Sequence, residues 1–253
     1  MTFKLLLTFC GVAVTHALLA QQSFPTPEDA GHALVTAVEN DQLKEITKIL
    51  GVSEKLVFPN SSKEDHPDCE MFVHKYKEMH RFHKEPNGKV MLYIGAENWP
   101  FPIPLEAKNG AWQFDPKAGE REILYRRVGA NEMAAIDACH KLVDPEKKKD
   151  EGLAGVSANV PDSAPVLING YYFRAIVPAS KKAQPPSDTG KLEFIAYPAE
   201  YRSSGVMTFV VTPKNVVYEK DLGPGTAKVA SHMTEFHQDP SWYPADQSTL
   251  SAK

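Results

Sequence analysis

The sequence has no surplus of positive charge and no long apolar run after its first twenty residues. Its 28 Lys and Arg residues face 32 Asp and Glu residues, a formal net charge of -4. A chain without a basic excess is poorly suited to neutralising rows of phosphates, so we expect no nucleic-acid partner. Hydrophobic residues at 42% and charged residues at 24% exclude a collagen-like, coiled-coil or wholly disordered protein.

The motifs of familiar enzyme classes are also missing. The stretch Gly155-Val156-Ser157-Ala158-Asn159 lacks the closing glycine of a G-x-S-x-G nucleophile motif. No phosphate-binding loop or dinucleotide fingerprint occurs, and Gly223-Pro224-Gly225 predicts a turn. We therefore expect no cofactor, and an enzyme of this sequence would use an unfamiliar site.

One apolar segment is present, at the N-terminus. Lys4 precedes apolar residues 5–14, and Ala20 stands at a position suited to cleavage. This arrangement is typical of a secretory signal peptide. His16 interrupts the segment, which falls short of the ~20 apolar residues that a membrane span needs. We predict a signal peptide over residues 1–20, a periplasmic or secreted protein, and no membrane span after cleavage.

Cysteine is scarce, and removal of the signal peptide leaves only Cys69 and Cys139. Two thiols in an oxidising compartment are expected to pair. The sequence does not fix whether their α-carbons lie within bridging range. We predict a stabilising disulfide between them.

Residues 21–143 have the pattern of an α+β region. Thr26-Pro27 predicts a helix start and Gly51 the end of a second helix. Apolar spacing predicts a third helix over Asp68–Phe82 and a long one over Gly119–Val143. Between them, Asn87-Gly88 and Asn109-Gly110 predict turns between strands.

A change of composition separates this region from the rest of the chain. Residues 144–165 are rich in Lys, Glu, Gly, Pro and Ser and predict a solvated linker. Residues 166–245 contain four strand-like runs, a helical pattern over Thr226–Phe236, and Trp242, which we expect to fold onto the core. The predicted fold class is α+β: N-terminal helices packed on a small antiparallel sheet, then a C-terminal β-meander closed by a helix.

Six stretches carry a resemblance to a known family. They are residues 92–105, with the run WPFPIP, 122–129 (EILYRRVG), 170–174 (GYYFR), 196–201 (AYPAEY), 204–209 (SGVMTF) and 218–224 (YEKDLGP). With the ending Ser241-Trp242, they resemble, in order, a bacterial exported family known as domain of unknown function 2950. The resemblance implies an exported protein with no established activity. Arg202 departs from the family pattern, in which a glycine tends to follow the tyrosine.

Two carboxylates beside aromatic segments are the candidate catalytic groups. Glu97 precedes Trp99, and Glu200 precedes Tyr201. If the two halves of the chain face each other, they could form a general acid and base, as in a hydrolase. Carboxylates near strand ends are more often plain surface residues.

A cluster of histidines suggests a second possibility, a metal-binding protein. The weak candidate ligands are His66, Cys69, His74, His80 and His83. A thiolate with imidazoles suits zinc or copper, but no second ligand pair completes a zinc site. The alternative is a polar helix face in solvent.

The third possibility, which we rank first, is a non-enzymatic binding or assembly module of the cell envelope. The alternating aromatic–proline segment 99–105 predicts an edge strand that accepts a partner or covers the core. Arg126 and Arg127 suit an anion or neighbouring acids. The candidate binding residues are Trp99, Phe101, Ile103, Arg126, Arg127 and Tyr201. The expected partner is an envelope protein or a second copy of the chain.

Overall fold

The structure is a computed structural model that describes residues 21–57, 66–144, 153, 156, 164–177 and 192–245. The predicted signal peptide lies outside these residues. The chain forms two compact units, residues 1–122 and 123–253, and each is described here by itself. The division falls inside a long helix, whereas the sequence pattern placed the end of the first region at residue 143.

The first unit begins with helices whose ends follow the predicted signals. Helix α1 spans Pro27–Glu39, and the Thr26 hydroxyl caps it by accepting the N–H of Asp29 at 3.1 Å. Helix α2 spans Leu43–Leu50 and ends at Gly51, whose φ of 71° is left-handed. A short helix α3 covers Glu54–Val57, and α4 covers His66–Glu78. The first two predicted helices are confirmed.

The first sheet is antiparallel and contains five strands. They are β1 (His80–Lys84), β2 (Val90–Ile94), β3 (Trp99–Pro100), β4 (Leu105–Lys108) and β5 (Ala111–Phe114). The order is β1-β2-β4-β5, and β3 also pairs with β2. The predicted turn at Asn109-Gly110 joins β4 to β5, with φ values of 53° and 79°. The buried face contains Leu92, Ile94, Leu105 and Phe114.

The predicted helix over Asp68–Phe82 is too long. The structure ends it at Glu78, and His80–Lys84 instead pairs with Val90–Ile94 across the turn at Asn87-Gly88. The N–H of Gly95 bonds to the carbonyls of Lys75 and Met79, at 3.1 and 2.9 Å, which closes the helix end. The apolar spacing could not show this, because Phe82 fits an inward position in a strand as well as in a helix.

Helix α5, Pro116–Val143, is the long predicted helix. Asp115 precedes it and accepts the N–H of Ala118 at 3.1 Å, the geometry of an N-cap. In the C-terminal half of α5, Ala135, Ala138, Cys139 and Leu142 are buried in the core of the second unit. This packing explains why the division between the units falls within the helix.

The second sheet is an antiparallel meander of six strands. They are β6 (Val166–Ile168), β7 (Tyr171–Ile176), β8 (Glu193–Pro198), β9 (Thr208–Val211), β10 (Val217–Lys220) and β11 (Tyr243–Pro244). They lie in sequence order from β6 to β11. A 3₁₀ turn at Gly223–Gly225 leads into α6, Thr226–Ser231, which is shorter than the predicted helix. The α+β class, with a C-terminal meander and a closing helix, is confirmed.

Both faces of the second sheet are covered. One face packs Tyr171, Phe173 and Phe194 against the C-terminal half of α5. Leu153 and Val156, from the predicted solvated linker, are buried in the same core. The other face packs Ile195, Tyr197 and Val210 against Ala230 and Trp242, so the predicted return of Trp242 to the core is confirmed. None of the helices in the described ranges has the length and hydropathy of a membrane span.

Candidate functional site

The face of the second sheet beneath α6 carries an unusual set of polar and aromatic side chains. We call it the Arg174 site and define it by five residues. They are Arg174 on β7, Tyr197 on β8, Thr208 on β9, Lys220 on β10 and Trp242. Strand register places them on one face, because Tyr172 pairs with Tyr197 and Lys220 pairs with Thr208. Each comes from a different block of the sequence that resembles the family.

Arg174 is the half-buried cation of the site, and its Nε atom is fully buried. Its guanidinium donates to the carbonyls of Ala230 and Met233, the latter at 2.6 Å, and to the carbonyl of Ala175 at 3.1 Å. The first two carbonyls lie at and just after the end of α6, where a positive charge is favoured. Burial lowers the pKa of Arg174, while the nearby Tyr197 acts in the opposite direction. Arg174 therefore holds the covering segment onto the sheet.

Two atoms of the site are buried without a hydrogen-bond partner. They are Nε of Arg174 and Oγ1 of Thr208. Across the described ranges only one other buried side-chain atom, Oε1 of Gln22, shares this condition. Thr208 is 0% exposed. Such groups cost free energy when desolvated unless a ligand or a water pairs with them, so this face is the candidate site.

Aromatic rings line the same face. Tyr172 and Tyr197 lie with ring centroids 5.6 Å apart, and Phe236 meets Trp242 edge to face at 5.1 Å. The Lys220 ammonium lies 5.5 Å from the Trp242 ring centroid and 3.9 Å from an oxygen of Asp239. The site therefore combines two cations with an aromatic surround, a composition suited to an organic anion.

The turn before β9 is fixed by α5 and β7. The Glu132 carboxylate accepts the N–H groups of Val206 and Met207 at 2.9 and 3.0 Å. The Asn131 side chain donates to the carbonyl of Ser204 at 2.8 Å, and the Tyr171 hydroxyl donates to the carbonyl of Met207 at 2.9 Å. These hydrogen bonds fix the backbone immediately before Thr208 and so fix the position of Thr208 in the site. Charged acceptors for backbone N–H groups are among the stronger hydrogen bonds in proteins.

Arg202, the residue at which the resemblance implies a glycine, lies in this turn. Arg202 has a φ of 64°, a left-handed conformation that glycine adopts without steric cost. The turn still forms, since the N–H of Arg202 donates to the carbonyl of Gly205 at 2.7 Å. The Arg202 guanidinium lies 5.4 Å from the centroid of the Tyr201 ring. The turn therefore forms with a non-glycine residue in the left-handed region, at a cost in backbone strain.

The two predicted catalytic carboxylates lie in different units. Glu97 is exposed and pairs with Lys75, and this hydrogen bond lowers its pKa. A lowered pKa does not suit a general acid at neutral pH. Glu200 is exposed, and its backbone carbonyl accepts the N–H groups of Ser203 and Ser204 in the turn.

Among the described residues, two glutamates outside the sequence-based candidates have a raised pKa. Burial raises the pKa of Glu219 on β10, and the nearby Glu132 adds to the effect. Burial also raises the pKa of Glu193 on β8, against a hydrogen bond from the N–H of Phe236 and the charge of His237. Glu193 shares the face of the Arg174 site, whereas strand alternation places Glu219 on the opposite face.

The predicted binding residues occupy varied environments. Trp99 is 40% exposed, Phe101 is half-buried against Phe72 and Phe114, and Ile103 is 2% exposed beneath α5. The segment therefore turns from solvent into the core, which supports the covering role over a continuous docking edge. Arg127 is exposed, and Arg126 is half-exposed on α5. The Tyr201 hydroxyl donates to Asp221 at 3.1 Å.

The candidate metal ligands do not form a common site in the described part of the chain. His66 lies near Asp41 and Glu70, at 3.5 and 3.3 Å, while the His80 ring stacks on Tyr76 at 4.1 Å. His80 and His83 lie on strand β1, so the helical spacing assumed for them does not hold. His74 is exposed on α4. Over the ranges described, no three His, Cys, Asp or Glu side chains form a group able to hold a metal ion.

The predicted disulfide is absent, because Cys69 and Cys139 are not bonded to each other. Cys139 is 0% exposed in the core of the second unit, among side chains of α5 and the sheet. Burial strongly raises the pKa of its thiol, which disfavours the reactive thiolate. Cys69 lies half-buried on α4 in the first unit. The cysteine count could not reveal this difference in environment.

The stretches that carry the family resemblance contain the residues of the Arg174 site, but the sequence alone does not identify these residues as a site. No single block has a catalytic motif, and only the register of the meander brings the five side chains to one face. No curated protein and no solved structure matches the chain. The family model described as protein of unknown function (DUF2950) matches residues 21–156 and 150–245. The chain, with its five blocks meeting at one sheet face, belongs to the DUF2950 family.

Proposed function

We propose that the protein is an exported, non-enzymatic binding module of the bacterial cell envelope, and that its ligand binds at the Arg174 site. One observation carries the proposal: Nε of Arg174 and Oγ1 of Thr208 are buried on the same sheet face without a hydrogen-bond partner. A ligand that accepts from both groups removes their desolvation cost. The aromatic rings around them supply apolar contact for such a ligand.

Binding fits this site better than catalysis. The guanidinium nitrogens of Arg174 already hold the carbonyls of Ala230 and Met233. Glu193, which has a raised pKa and shares the face, accepts the N–H of Phe236. These side chains are therefore engaged in holding the covering segment, and neither is presented as a proton donor to a bound substrate.

Export is supported by the N-terminal sequence and by the contacts of the first residue after the proposed cleavage position. The Gln21 side chain donates to the carbonyl of Phe114 at 2.7 Å and to that of Ile49 at 3.3 Å. Gln21 therefore already belongs to the folded first unit. Cleavage after Ala20 would leave this anchoring residue in place.

The test is native mass spectrometry of the protein purified from the periplasm after expression of the full chain in a Gram-negative host. We expect a chain that begins at Gln21 and carries a small-molecule adduct. Thr208→Val should reduce the adduct, since it removes the unpartnered hydroxyl at nearly constant volume. Thr212→Val is the matched control, because the Thr212 hydroxyl already donates to the carbonyl of Val216 at 3.3 Å.

Two results would contradict the proposal, one for each of its parts. A mass that retains residues 1–20, in protein that stays in the cytoplasm, would contradict export. An adduct-free wild type together with a Thr208→Val variant of higher melting temperature would contradict ligand binding. In that case the Thr208 hydroxyl is an uncompensated buried group, and valine simply removes its cost.

A further inference from the structure

The polar atoms of the Arg174 site also define the chemistry of what it binds. We infer that the ligand carries an oxyanion, a carboxylate or a phosphate, which accepts a hydrogen bond from Nε of Arg174. The inference rests on the proposed function and adds the ligand class. It follows from three properties of the site: the kind of hydrogen bond each group can make, the balance of charge, and the segment that covers the site.

The polar groups of the Arg174 site require a ligand that accepts hydrogen bonds. The Nε–H of a guanidinium donates and never accepts. A threonine hydroxyl can donate, and the ammonium of Lys220 only donates. The two buried atoms without partners therefore belong to a donor and to a group that can serve as one. An acceptor oxygen satisfies either group, and charge-assisted bonds to an arginine fork are the strongest of this kind.

The charges of Arg174 and Lys220 also favour an anionic ligand. Every hydrogen-bond partner that the structure assigns to the Arg174 guanidinium is a backbone carbonyl: those of Ala175, Ala230 and Met233. Carbonyls carry no net charge, so they do not balance the half-buried cation. Glu193 lies on the same face, but its carboxylate is bonded to the N–H of Phe236 in the covering segment. Lys220 is 3.9 Å from Asp239, at the edge of an ion-pair contact, and the Asp239 side chain is exposed. An anion in the site would neutralise a positive charge that burial makes costly.

The cover of the site provides a route of entry. Between Ser231 and Trp242 the chain has no helix or strand, and most of its side chains are exposed. It is fastened by Arg174 to the carbonyl of Met233, by Glu193 to the N–H of Phe236, and by the buried ring of Trp242. Irregular segments with few buried contacts open at lower free energy than sheet strands do. We therefore expect the ligand to enter by displacement of this segment.

The experiment measures the melting temperature of the mature wild-type protein in sodium phosphate, sodium acetate and sodium chloride at matched ionic strength. Phosphate and acetate probe the two oxyanion classes, and chloride controls for screening. We expect phosphate, acetate or both to raise the melting temperature above the value in chloride, because a ligand that binds the folded state stabilises it. Because phosphate also stabilises proteins by exclusion from their surface, a rise in one salt identifies the class only where Thr208→Val reduces it and Thr212→Val does not.

Substitutions test whether the anion raises the melting temperature by binding at the Arg174 site. Arg174→Lys keeps the charge but loses Nε and the planar fork, and we expect it to weaken the anion affinity about tenfold or more, as judged from the anion concentration dependence. Thr208→Val should weaken it by a smaller factor, and Thr212→Val should leave it unchanged. If Arg174→Lys does not fold, Thr208→Val against Thr212→Val still decides the question, since both changes preserve volume closely.

The outcomes separate this inference from the proposed function. Equal melting temperatures in all three salts overturn it, as does an anion effect that survives in both Arg174→Lys and Thr208→Val. A neutral or cationic adduct in the mass spectrum also overturns it, yet leaves the binding function standing. The loss of every adduct, with no anion effect, overturns both. A crystal structure in phosphate that shows only water on Nε of Arg174 counts against the oxyanion.

Discussion

The hydroxyl of Tyr171 lies directly against Gly205: a β-carbon built on that glycine would stand 2.0 Å from the Tyr171 oxygen and 2.5 Å from two ring carbons. The same hydroxyl donates to the carbonyl of Met207. The turn before β9 can therefore approach the core only because residue 205 has no side chain. This contact links the core face of the second sheet to the position of Thr208 on its other face.

Gly205→Ala should destabilise the second unit. A ring atom at 2.5 Å is closer than real β-carbon contacts allow, and the buried Tyr171 side chain has no space to move away. We expect a loss of about 2 kcal/mol or more in the free energy of unfolding, as for other overpacked cores. Urea unfolding followed by circular dichroism measures it. Tyr171→Phe on the Gly205→Ala background should recover part of the loss, since it removes the nearest atom; no recovery would contradict the contact.

Gly129→Ala should have the opposite effect. Gly129 lies within α5, and a β-carbon there would meet no atom within 4 Å. Alanine in a helix interior is favoured over glycine by roughly 0.5–1 kcal/mol, because glycine loses more backbone entropy on folding. The same urea titration should therefore show a higher midpoint with an unchanged slope. A destabilised variant would mean that the open space beside Gly129 is occupied in solution.

Arg202 allows a test of backbone strain. Arg202→Gly and Arg202→Ala both remove the side chain, but only glycine tolerates the φ of 64° at little cost. We expect the glycine variant to be more stable than the alanine variant by about 1 kcal/mol in urea unfolding. At the neighbouring Ser203, whose φ is not positive, the order should reverse. Equal stability of the two Arg202 variants would indicate that the turn relaxes.

The fold was largely predictable because its elements carry local signals. Thr26 and Gly51 mark helix ends by capping chemistry, and Asn109-Gly110 marks a hairpin by its left-handed dihedral angles. The limit of α4 was not predictable. Whether Phe82 faces inward from a helix or from a strand depends on the pairing of β1 with β2, which is a tertiary contact. Local pattern gives the type of an element better than its boundary.

The site was less predictable than the fold for a related reason. Arg174 and Thr208 are separated by 34 positions in the sequence. Their common face follows from the register of three strands, and their missing partners follow from side-chain packing. Carboxylates such as Glu97 can be selected from the sequence alone, whereas the buried, unpartnered Nε of Arg174 is visible only in the structure. The block GYYFR carried only the family resemblance, and the sequence did not select Arg174 as a site residue.

The last prediction concerns acid stability and the cap of α5. The buried carboxyl of Asp115 accepts a hydrogen bond from Lys89 and another from the N–H of Ala118. Burial alone would raise its pKa, but the bonds from Lys89 and the backbone outweigh this and hold the pKa below the ordinary value of 3.8. The folded state therefore favours the ionised form, so this stabilisation is present above about pH 4 and is lost as the pH falls through the lowered pKa.

Asp115→Asn keeps the capping oxygen but removes the charge opposite Lys89. We expect a loss of roughly 1–3 kcal/mol at pH 7, the range for hydrogen bonds between charged groups, and a smaller difference from wild type as the pH drops below about 4. Urea unfolding at pH 7, 5 and 3 measures it. The control is Asp137→Asn, at an exposed residue paired with Lys141 at 3.0 Å, where the change should stay within about 0.5 kcal/mol. A pH-independent difference at Asp115 would show that the loss comes from packing and not from charge, because only an ionised carboxylate links stability to pH.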